Sequence, residues 1–134
     1  MLKRINHIAL VVPELDSAKR FWIDVMGLPL EQEEHVAEQR VDVAFMPLDG
    51  TNIELLKPTD GESGVAKYLD RRGPGMHHIC FEVDDIDAAL VELRNASVPL
   101  IDEEPRSGHD GKQYAFIHPK GTGGVLVELY QINP

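Results

Sequence analysis

Residues 5–18 read INHIALVVPELDSA, and residues 76–89 read MHHICFEVDDIDAA. The two stretches align at a constant offset of 71 residues, with a His-Ile pair and an Asp-x-Ala triplet identical in both copies. Identities at one fixed offset indicate an internal repeat. The sequence therefore predicts two halves with the same order of strands and helices.

Each copy begins with apolar residues at every second position, which is the period of a half-buried strand. This alternation places His7 on one face of the first strand and Ile8 and Leu10 on the other. In the second strand it places the neighbours His77 and His78 on opposite faces. Each strand then runs into an amphipathic helix, at 16–27 with Asp16 or Ser17 as N-cap and Gly27 as the stop, and at 84–95. The residues predicted to face the core are Ala18, Phe21, Trp22 and Val25 in the first helix and Ile86, Ala89, Leu90 and Leu93 in the second.

Shorter extended runs, separated by turn residues, follow each helix. They lie at 30–36, 41–47 and 51–58 in the first half and at 98–102, 113–119 and 125–131 in the second. We therefore expect an α+β fold in which two tandem βαβββ modules form a curved mixed sheet around a cleft, which the ligand candidates described below would make a metal-containing cleft. The expected organisation is a single domain, 1–134, with halves 1–60 and 75–134 joined by a connector at 61–74 that contains a short helix.

The composition narrows the classes of partner. With 23 acidic against 13 basic residues, the formal net charge is -10, and a negative field of this size disfavours nucleic acid as a partner. No apolar run approaches the ~18 residues of a membrane span, and the first seven residues lack a signal-peptide pattern. Cys80 is the only cysteine and is expected to be a buried apolar residue, which agrees with a reducing compartment. We therefore expect a cytoplasmic protein without membrane attachment.

The repeat also relates the last strand of each half, because TNIEL with Glu54 matches VLVEL with Glu128. Each half thus offers one histidine on its first strand, His7 or His78, and one glutamate on its last. Two imidazoles and two carboxylates suit a divalent ion such as Co²⁺, Ni²⁺, Mn²⁺ or Zn²⁺. A cation would also offset the cost of burying carboxylates in apolar strands. His77 falls on the helix-packing face and is predicted to be structural.

Three segments carry a family resemblance: INHIALVVPELDSA (5–18), VAKYLDRRGPGMHHICFEVDDIDAALVEL (65–93) and LIDEEPRSGHDGKQYAFIHPKGTGGVLVELYQ (100–131). They resemble the vicinal oxygen chelate superfamily and, within it, the methylmalonyl-CoA epimerase family. The resemblance implies a homodimer that binds an acyl-CoA substrate and one divalent metal ion per chain, Co²⁺ foremost, at His7, Glu54, His78 and Glu128. It implies interconversion of (R)- and (S)-methylmalonyl-CoA by abstraction and return of the α-proton through a metal-stabilised enolate.

The resemblance also implies roles for particular residues. Glu128 and Glu54 would exchange the roles of acid and base on opposite sides of the metal. Some similar epimerases carry a further glutamate, proposed as the second base, at the position of Val43, so the identity of the second base stays open; Asp42 is acidic but falls on the other face of its strand. The loop at 108–112 corresponds to the family's substrate-carboxylate loop and would bind substrate through Gly108, His109, Gly111 and Lys112, unless it is a plain hairpin turn.

Two other functions remain open on the sequence alone. A glyoxalase I-type lactoylglutathione lyase has a similar set of metal ligands and a similar proton transfer, although the segments LIDEEPR and HPK favour the epimerase. A non-catalytic protein that binds a small ligand in the cleft is the other alternative. The paired carboxylates weigh against it.

Overall fold

A computed structural model describes residues 1–108 and 111–132 of the chain. The strands are β1 (Leu2–Val11), β2 (Gln32–Val36), β3 (Val41–Leu48), β4 (Thr51–Pro58), β5 (Gly75–Val83), β6 (Arg106–Ser107), β7 (Gln113–Ile117) and β8 (Val127–Gln131). The α-helices are α1 (Leu15–Lys19), α2 (Gly64–Arg72) and α3 (Ile86–Asn95), and a π-helical segment, Arg20–Val25, continues α1. Within the described ranges, no helix is long and apolar enough to cross a membrane.

The chain divides into two units. The N-terminal unit is His7–His77, and the C-terminal unit combines Met1–Asn6 with the residues from His78 onward. Strands β1 and β5 each contribute to both units. The short helix expected in the connector is α2, which begins at Gly64 where the Ser63 hydroxyl accepts a hydrogen bond from the Ala66 N–H.

The sheet of the N-terminal unit has the strand order β2-β3-β4-β1. β1 pairs with β4 in parallel, and the other pairs are antiparallel. Two apolar clusters lie on opposite faces of this sheet. One cluster, under α1, contains Leu10, Ala44, Met46 and Leu55; the other, against Val65 of α2, contains Ala9, Val41, Val43 and Leu56.

The first helix differs from the prediction in its start and in its buried face. Helical geometry begins at Leu15, with Glu14 as an N-cap that makes no side-chain bond, so the predicted caps Asp16 and Ser17 are wrong. The N-cap therefore lies two residues before Asp16, and Leu15, the first helical residue, packs against the core cluster under the helix. The end of the helix was predicted correctly, because Gly27 follows it at φ +85°, a conformation that favours glycine.

The π-helical segment changes which residues face the core. Its backbone hydrogen bonds join residues five apart: the Met26 N–H, for example, donates to the Phe21 carbonyl at 2.9 Å. Such a turn contains one residue more than a turn of α-helix. Phe21 and Val25 therefore lie 49% and 73% exposed, against the prediction, while Ile23 packs beside Trp22 in the core. Periodicity could not reveal this shift because it assumes 3.6 residues per turn.

The C-terminal unit has the strand order β1-β5-β8-β7-β6, where β1 contributes its first residues. β5 and β8 pair in parallel, and β7 pairs antiparallel with β8 and with β6. α3 packs on this sheet as predicted. Ile86, Ala89 and Leu90 are buried, and Leu93 packs against them.

The predicted strand at 98–102 is wrong. Only one bridge, Leu100 with Ile117, joins this segment to β7. The Phe116 N–H donates to the Asp102 side chain at 2.9 Å, and the N–H groups of Ile101 and Asp102 converge on the Phe116 carbonyl. A side chain thus replaces part of the backbone ladder, and the segment stays irregular.

The π-helical shift predicts that Ile23 and Val25 respond differently to truncation. Ile23→Ala should lower the free energy of unfolding by about 1–3 kcal/mol, because it removes packed apolar atoms from the core. Val25→Ala, the matched control, should change it by less than about 0.5 kcal/mol. Urea unfolding followed by circular dichroism measures both values. A larger loss for Val25→Ala than for Ile23→Ala would contradict this description of the helix.

Candidate functional site

In the N-terminal unit, His7 and Glu54 form a buried pair. The parallel register of β1 and β4 sets Glu54 beside Ala9, two residues after His7. The Nδ1 atom of His7 lies 3.3 Å from Oε2 of Glu54, and the two side chains are 11% and 12% exposed. The pair lies on the sheet face that carries Ala9 and Leu56.

In the C-terminal unit, His78 and Glu128 form the equivalent pair. Glu128 lies beside Cys80, two residues after His78, which is the register seen for the first pair. The Nε2 atom of His78 lies 3.1 Å from Oε1 of Glu128, and both side chains are about one-tenth exposed. The internal repeat therefore extends to the pairing of these side chains within each unit.

Both pairs fit a divalent metal ion. Two ligand atoms that bind one ion at about 2.1 Å lie about 3.0 Å apart in octahedral geometry and about 3.4 Å apart in tetrahedral geometry, a range that includes the separations of 3.3 and 3.1 Å. A cation also suits carboxylates withdrawn from water, because it offsets their desolvation. Each unit thus offers a possible metal-binding pair. That all four side chains bind one ion stays a prediction.

The adjacent histidines lie in different surroundings. The His77 ring packs edge-on against Tyr68 of α2, with ring centroids 5.1 Å apart. The His78 ring packs edge-on against Phe116, 5.6 Å away, beside Glu128. The structure thus places His78 beside a predicted metal-ligating carboxylate, that of Glu128.

Cys80 lies next to one of the candidate metal ligands, a position that was not predicted for it. It is fully buried, as predicted, and its sulfur also lies within 4.8 Å of the Glu128 carboxylate. The alternation of the strand could have predicted this position, since Cys80 lies two residues after His78 and so shares its face. The Cys80 thiol is therefore an immediate neighbour of the candidate ligand Glu128.

The two candidates for a second base on β3 have different positions. Val43 shares a face with Glu54 and packs with Ala9 and Leu56, so this position holds an aliphatic group. Asp42 points to the opposite face, as predicted, where its carboxylate lies 2.9 Å from Nδ1 of His35. Neither residue supplies a base beside Glu54.

The predicted substrate-binding loop is partly described. The Gly108 N–H donates to the Lys112 carbonyl at 2.8 Å, so this N–H is used within the loop. Gly111 adopts φ +73°, and Nζ of Lys112 lies 5.9 Å from the centre of the Tyr130 ring. His109 lies outside the described residues. The loop therefore brings the Lys112 ammonium group to the strand that carries Glu128.

Residues 6–116 match the Glyoxalase/Bleomycin resistance protein/Dioxygenase superfamily. The chain belongs to this superfamily. Within it, the mitochondrial methylmalonyl-CoA epimerase of Homo sapiens is 41% identical over 131 residues, which cover 97% of this chain and 74% of that protein. The chain is thus also a member of the methylmalonyl-CoA epimerase family.

Two further similarities cover nearly the whole of both chains compared. The ethylmalonyl-CoA/methylmalonyl-CoA epimerase of Cereibacter sphaeroides is 38% identical, covering 98% of this chain and 100% of that one. A solved structure of a methylmalonyl-CoA epimerase in complex with methylmalonyl-CoA and NH4+ is 36% identical with a TM-score of 0.86, covering 98% of this chain and 95% of that one. The α+β fold predicted for the chain is therefore confirmed as the fold of this family.

We expect substitutions of the neighbouring histidines, His77 and His78, to have different effects on metal binding. His78→Ala should weaken binding of Co²⁺ roughly 100-fold or more, because losing even an indirect partner of a metal ligand costs about 10- to 100-fold. His77→Ala, the matched control, should leave the affinity unchanged. Isothermal titration calorimetry on metal-free protein measures both. Equal losses in the two variants would contradict the assignment of His78 as a ligand.

Proposed function

We propose that this protein is a metal-dependent epimerase that interconverts (R)- and (S)-methylmalonyl-CoA. The observation that carries the proposal is the pair of buried histidine–glutamate contacts, His7 with Glu54 and His78 with Glu128, in the same strand register in each unit. Membership of the methylmalonyl-CoA epimerase family supports the substrate.

We further propose that His7, Glu54, His78 and Glu128 bind one divalent metal ion per chain. Co²⁺ is the first candidate, and Ni²⁺, Mn²⁺ and Zn²⁺ suit the same nitrogen and oxygen donors. When bound, the ion supplies Lewis acidity that stabilises negative charge on the thioester oxygen of the substrate. The protein contributes donors that are buried and held in register, so little reorganisation is needed on binding.

The proton transfer is assigned to the two carboxylates. Glu128 removes the α-proton, which lies between a thioester and a carboxylate and is acidified by both. Inversion then requires a proton to reach the opposite face of the same carbon, and Glu54 is the candidate donor. The two residues exchange these roles when the reaction runs in reverse. Val43, aliphatic and packed in the core, takes no part in proton transfer.

Hydrogen exchange tests the reaction directly. The Co²⁺-loaded protein, incubated with (R)-methylmalonyl-CoA in D₂O, should replace the α-proton with deuterium and produce the (S) form, as followed by proton NMR. Glu128→Gln should abolish exchange, since it removes the base and keeps the shape of the side chain. Exchange no faster than in the metal-free protein would refute the epimerase proposal. Turnover of methylglyoxal with a thiol would instead support a glyoxalase I-type lyase.

Glu54→Gln separates two roles for its carboxylate. If Glu54 is the second acid or base, this variant, assayed at a Co²⁺ concentration that saturates its metal site, should lose epimerisation at least about 100-fold, in line with the usual effect of a general acid or base. If the variant binds Co²⁺ and epimerises at the normal rate, Glu54 is only a ligand. Metal affinity and rate are measured on the same preparation, so loss of metal is distinguished from loss of proton transfer.

We also propose an oligomeric state and a cellular location for the protein. A homodimer is supported by a largely apolar groove of about 540 Å³ in the N-terminal unit, lined in part by Leu10, Trp22, Ile53 and Met76, because apolar grooves commonly mark contact surfaces. A cytoplasmic location is supported by the single cysteine of the sequence, Cys80, which can form no disulfide within the chain. Sedimentation velocity should give twice the mass of one chain; a monomer at micromolar concentration would contradict the dimer.

A further inference from the structure

The strand register alone does not decide which ring nitrogen of a histidine faces its glutamate. His78 faces Glu128 with Nε2 at 3.1 Å, whereas the equivalent His7 of the N-terminal unit faces Glu54 with Nδ1 at 3.3 Å. The register is nevertheless the same in both units. The torsion angle that turns an imidazole about its bond to Cβ is broad and roughly two-fold, so a neighbouring group has to hold the ring of His78 in its orientation.

A neighbour that contacts this imidazole is the phenyl ring of Phe116. Phe116 lies directly opposite Glu128 in the antiparallel ladder of β7 and β8, so its ring lies on the same sheet face as the carboxylate. The rings of His78 and Phe116 meet edge to face, with their centroids 5.6 Å apart and their planes at 86°. Aromatic pairs favour this geometry, and turning the imidazole out of its plane would break the contact.

The main chain of Phe116 is itself fixed by the irregular segment at 98–102. Its N–H donates to Oδ2 of Asp102 at 2.9 Å, and its carbonyl accepts the N–H groups of Ile101 at 3.0 Å and Asp102 at 3.2 Å. Because both backbone groups bond to this segment, Phe116 and Glu128 form a non-hydrogen-bonded pair within the ladder. The side chains of such a pair lie closer together than those of a hydrogen-bonded pair, which brings the phenyl ring near the carboxylate.

Asp102 occupies this buried position because its charge is compensated. The residue is 7% exposed, and burial of an unpaired carboxylate would be costly. One oxygen, Oδ1, accepts the Nε–H of Arg106 at 2.8 Å, and the other accepts the Phe116 N–H. The charges of Asp102 and Arg106 balance, and the ion pair fixes the carboxylate that bonds to β7.

We propose that Phe116 is a positioning residue whose ring holds the His78 imidazole so that Nε2 is directed toward Glu128, and that Asp102 holds the main chain of Phe116. The inference rests on the proposed function, in which His78 binds the metal ion. A ring that is already oriented in the metal-free protein loses little freedom when the ion binds, which is the general advantage of a preorganised site. Phe116 and Asp102 thus act on metal binding through His78.

The same substitution at two phenylalanines tests the proposal. Phe81 follows His78 by three residues in β5, but it packs on the opposite sheet face, against the apolar cluster under α3. Phe116→Leu should raise the Kd of Co²⁺ about 2- to 10-fold, the effect expected from losing one edge-to-face ring contact. Phe81→Leu, the matched control, should leave this Kd unchanged. Phe116→Tyr should bind Co²⁺ normally because it retains the ring. Isothermal titration calorimetry on metal-free protein measures all three values.

Nuclear magnetic resonance of the imidazole nitrogens gives a second readout, which a general loss of stability does not change. In the unmodified protein loaded with Zn²⁺, a diamagnetic ion, His78 should show one set of signals in which the bound ion shifts Nε2. Phe116→Leu and Asp102→Ala should each show additional His78 signals, because the ring then adopts more than one orientation. Phe81→Leu should keep the single set. Thermal melting of each variant confirms that it is folded.

Three results would overturn the proposal in whole or in part. Equal effects of Phe116→Leu and Phe81→Leu would show that only general stability is involved. An unchanged Kd and a single set of His78 signals in Phe116→Leu would show that the phenyl ring does not orient the imidazole. Unchanged His78 signals in Asp102→Ala would refute the role of Asp102. The proposed function fails separately, if the unmodified protein binds Zn²⁺ at His78 but, loaded with Co²⁺, does not exchange the α-proton of methylmalonyl-CoA.

Discussion

The parallel pairing of the first and last strand in each unit is the interaction on which the candidate metal centre depends. In both pairs, β1 with β4 and β5 with β8, the glutamate lies beside the residue two positions after the histidine. The backbone hydrogen bonds of the ladder set this register over the whole strand. A slip of one residue would turn Glu54 or Glu128 to the opposite face and separate it from its histidine.

The same pairing explains how carboxylates are accommodated in apolar strands. Glu54 follows Ile53 and Glu128 follows Val127, and each carboxylate is removed from water while an imidazole lies 3.3 or 3.1 Å away. Burial of a charge is costly unless another group compensates it. A histidine partner meets part of this cost, and a divalent ion between such groups would meet more. The buried glutamates thus favour metal binding at some cost to the free energy of unfolding of the metal-free protein.

Beyond the two histidine–glutamate pairs, the two units no longer carry similar residues at equivalent positions. Around Glu54 the neighbouring positions carry Val43 and Leu56, which pack with α2, whereas around Glu128 they carry Tyr114 and Tyr130, with Arg106 at the edge. An acyl-CoA with a thioester on one side and a carboxylate on the other is itself unsymmetrical. A duplicated framework therefore supplies the repeated donors, and the residues around those donors differ between the two units.

The repeat, the alternating strands and the amphipathic helix α3 were all determined by the sequence, because each depends on a local period that side chains display directly. The same alternation separated His78 from His77. Local patterns did not reveal the π-helical turn that packs Ile23 instead of Val25 against the core, because a period of 3.6 residues does not describe a turn with an extra residue. They did not reveal the irregular segment at 98–102 either, since that segment depends on bonds to Phe116, a residue distant in the chain. The link from Asp102 to Arg106 and Phe116 was also decided only by the tertiary structure. A buried side chain that replaces a backbone bond leaves no periodic signal, because its partner is chosen by packing and not by spacing along the sequence.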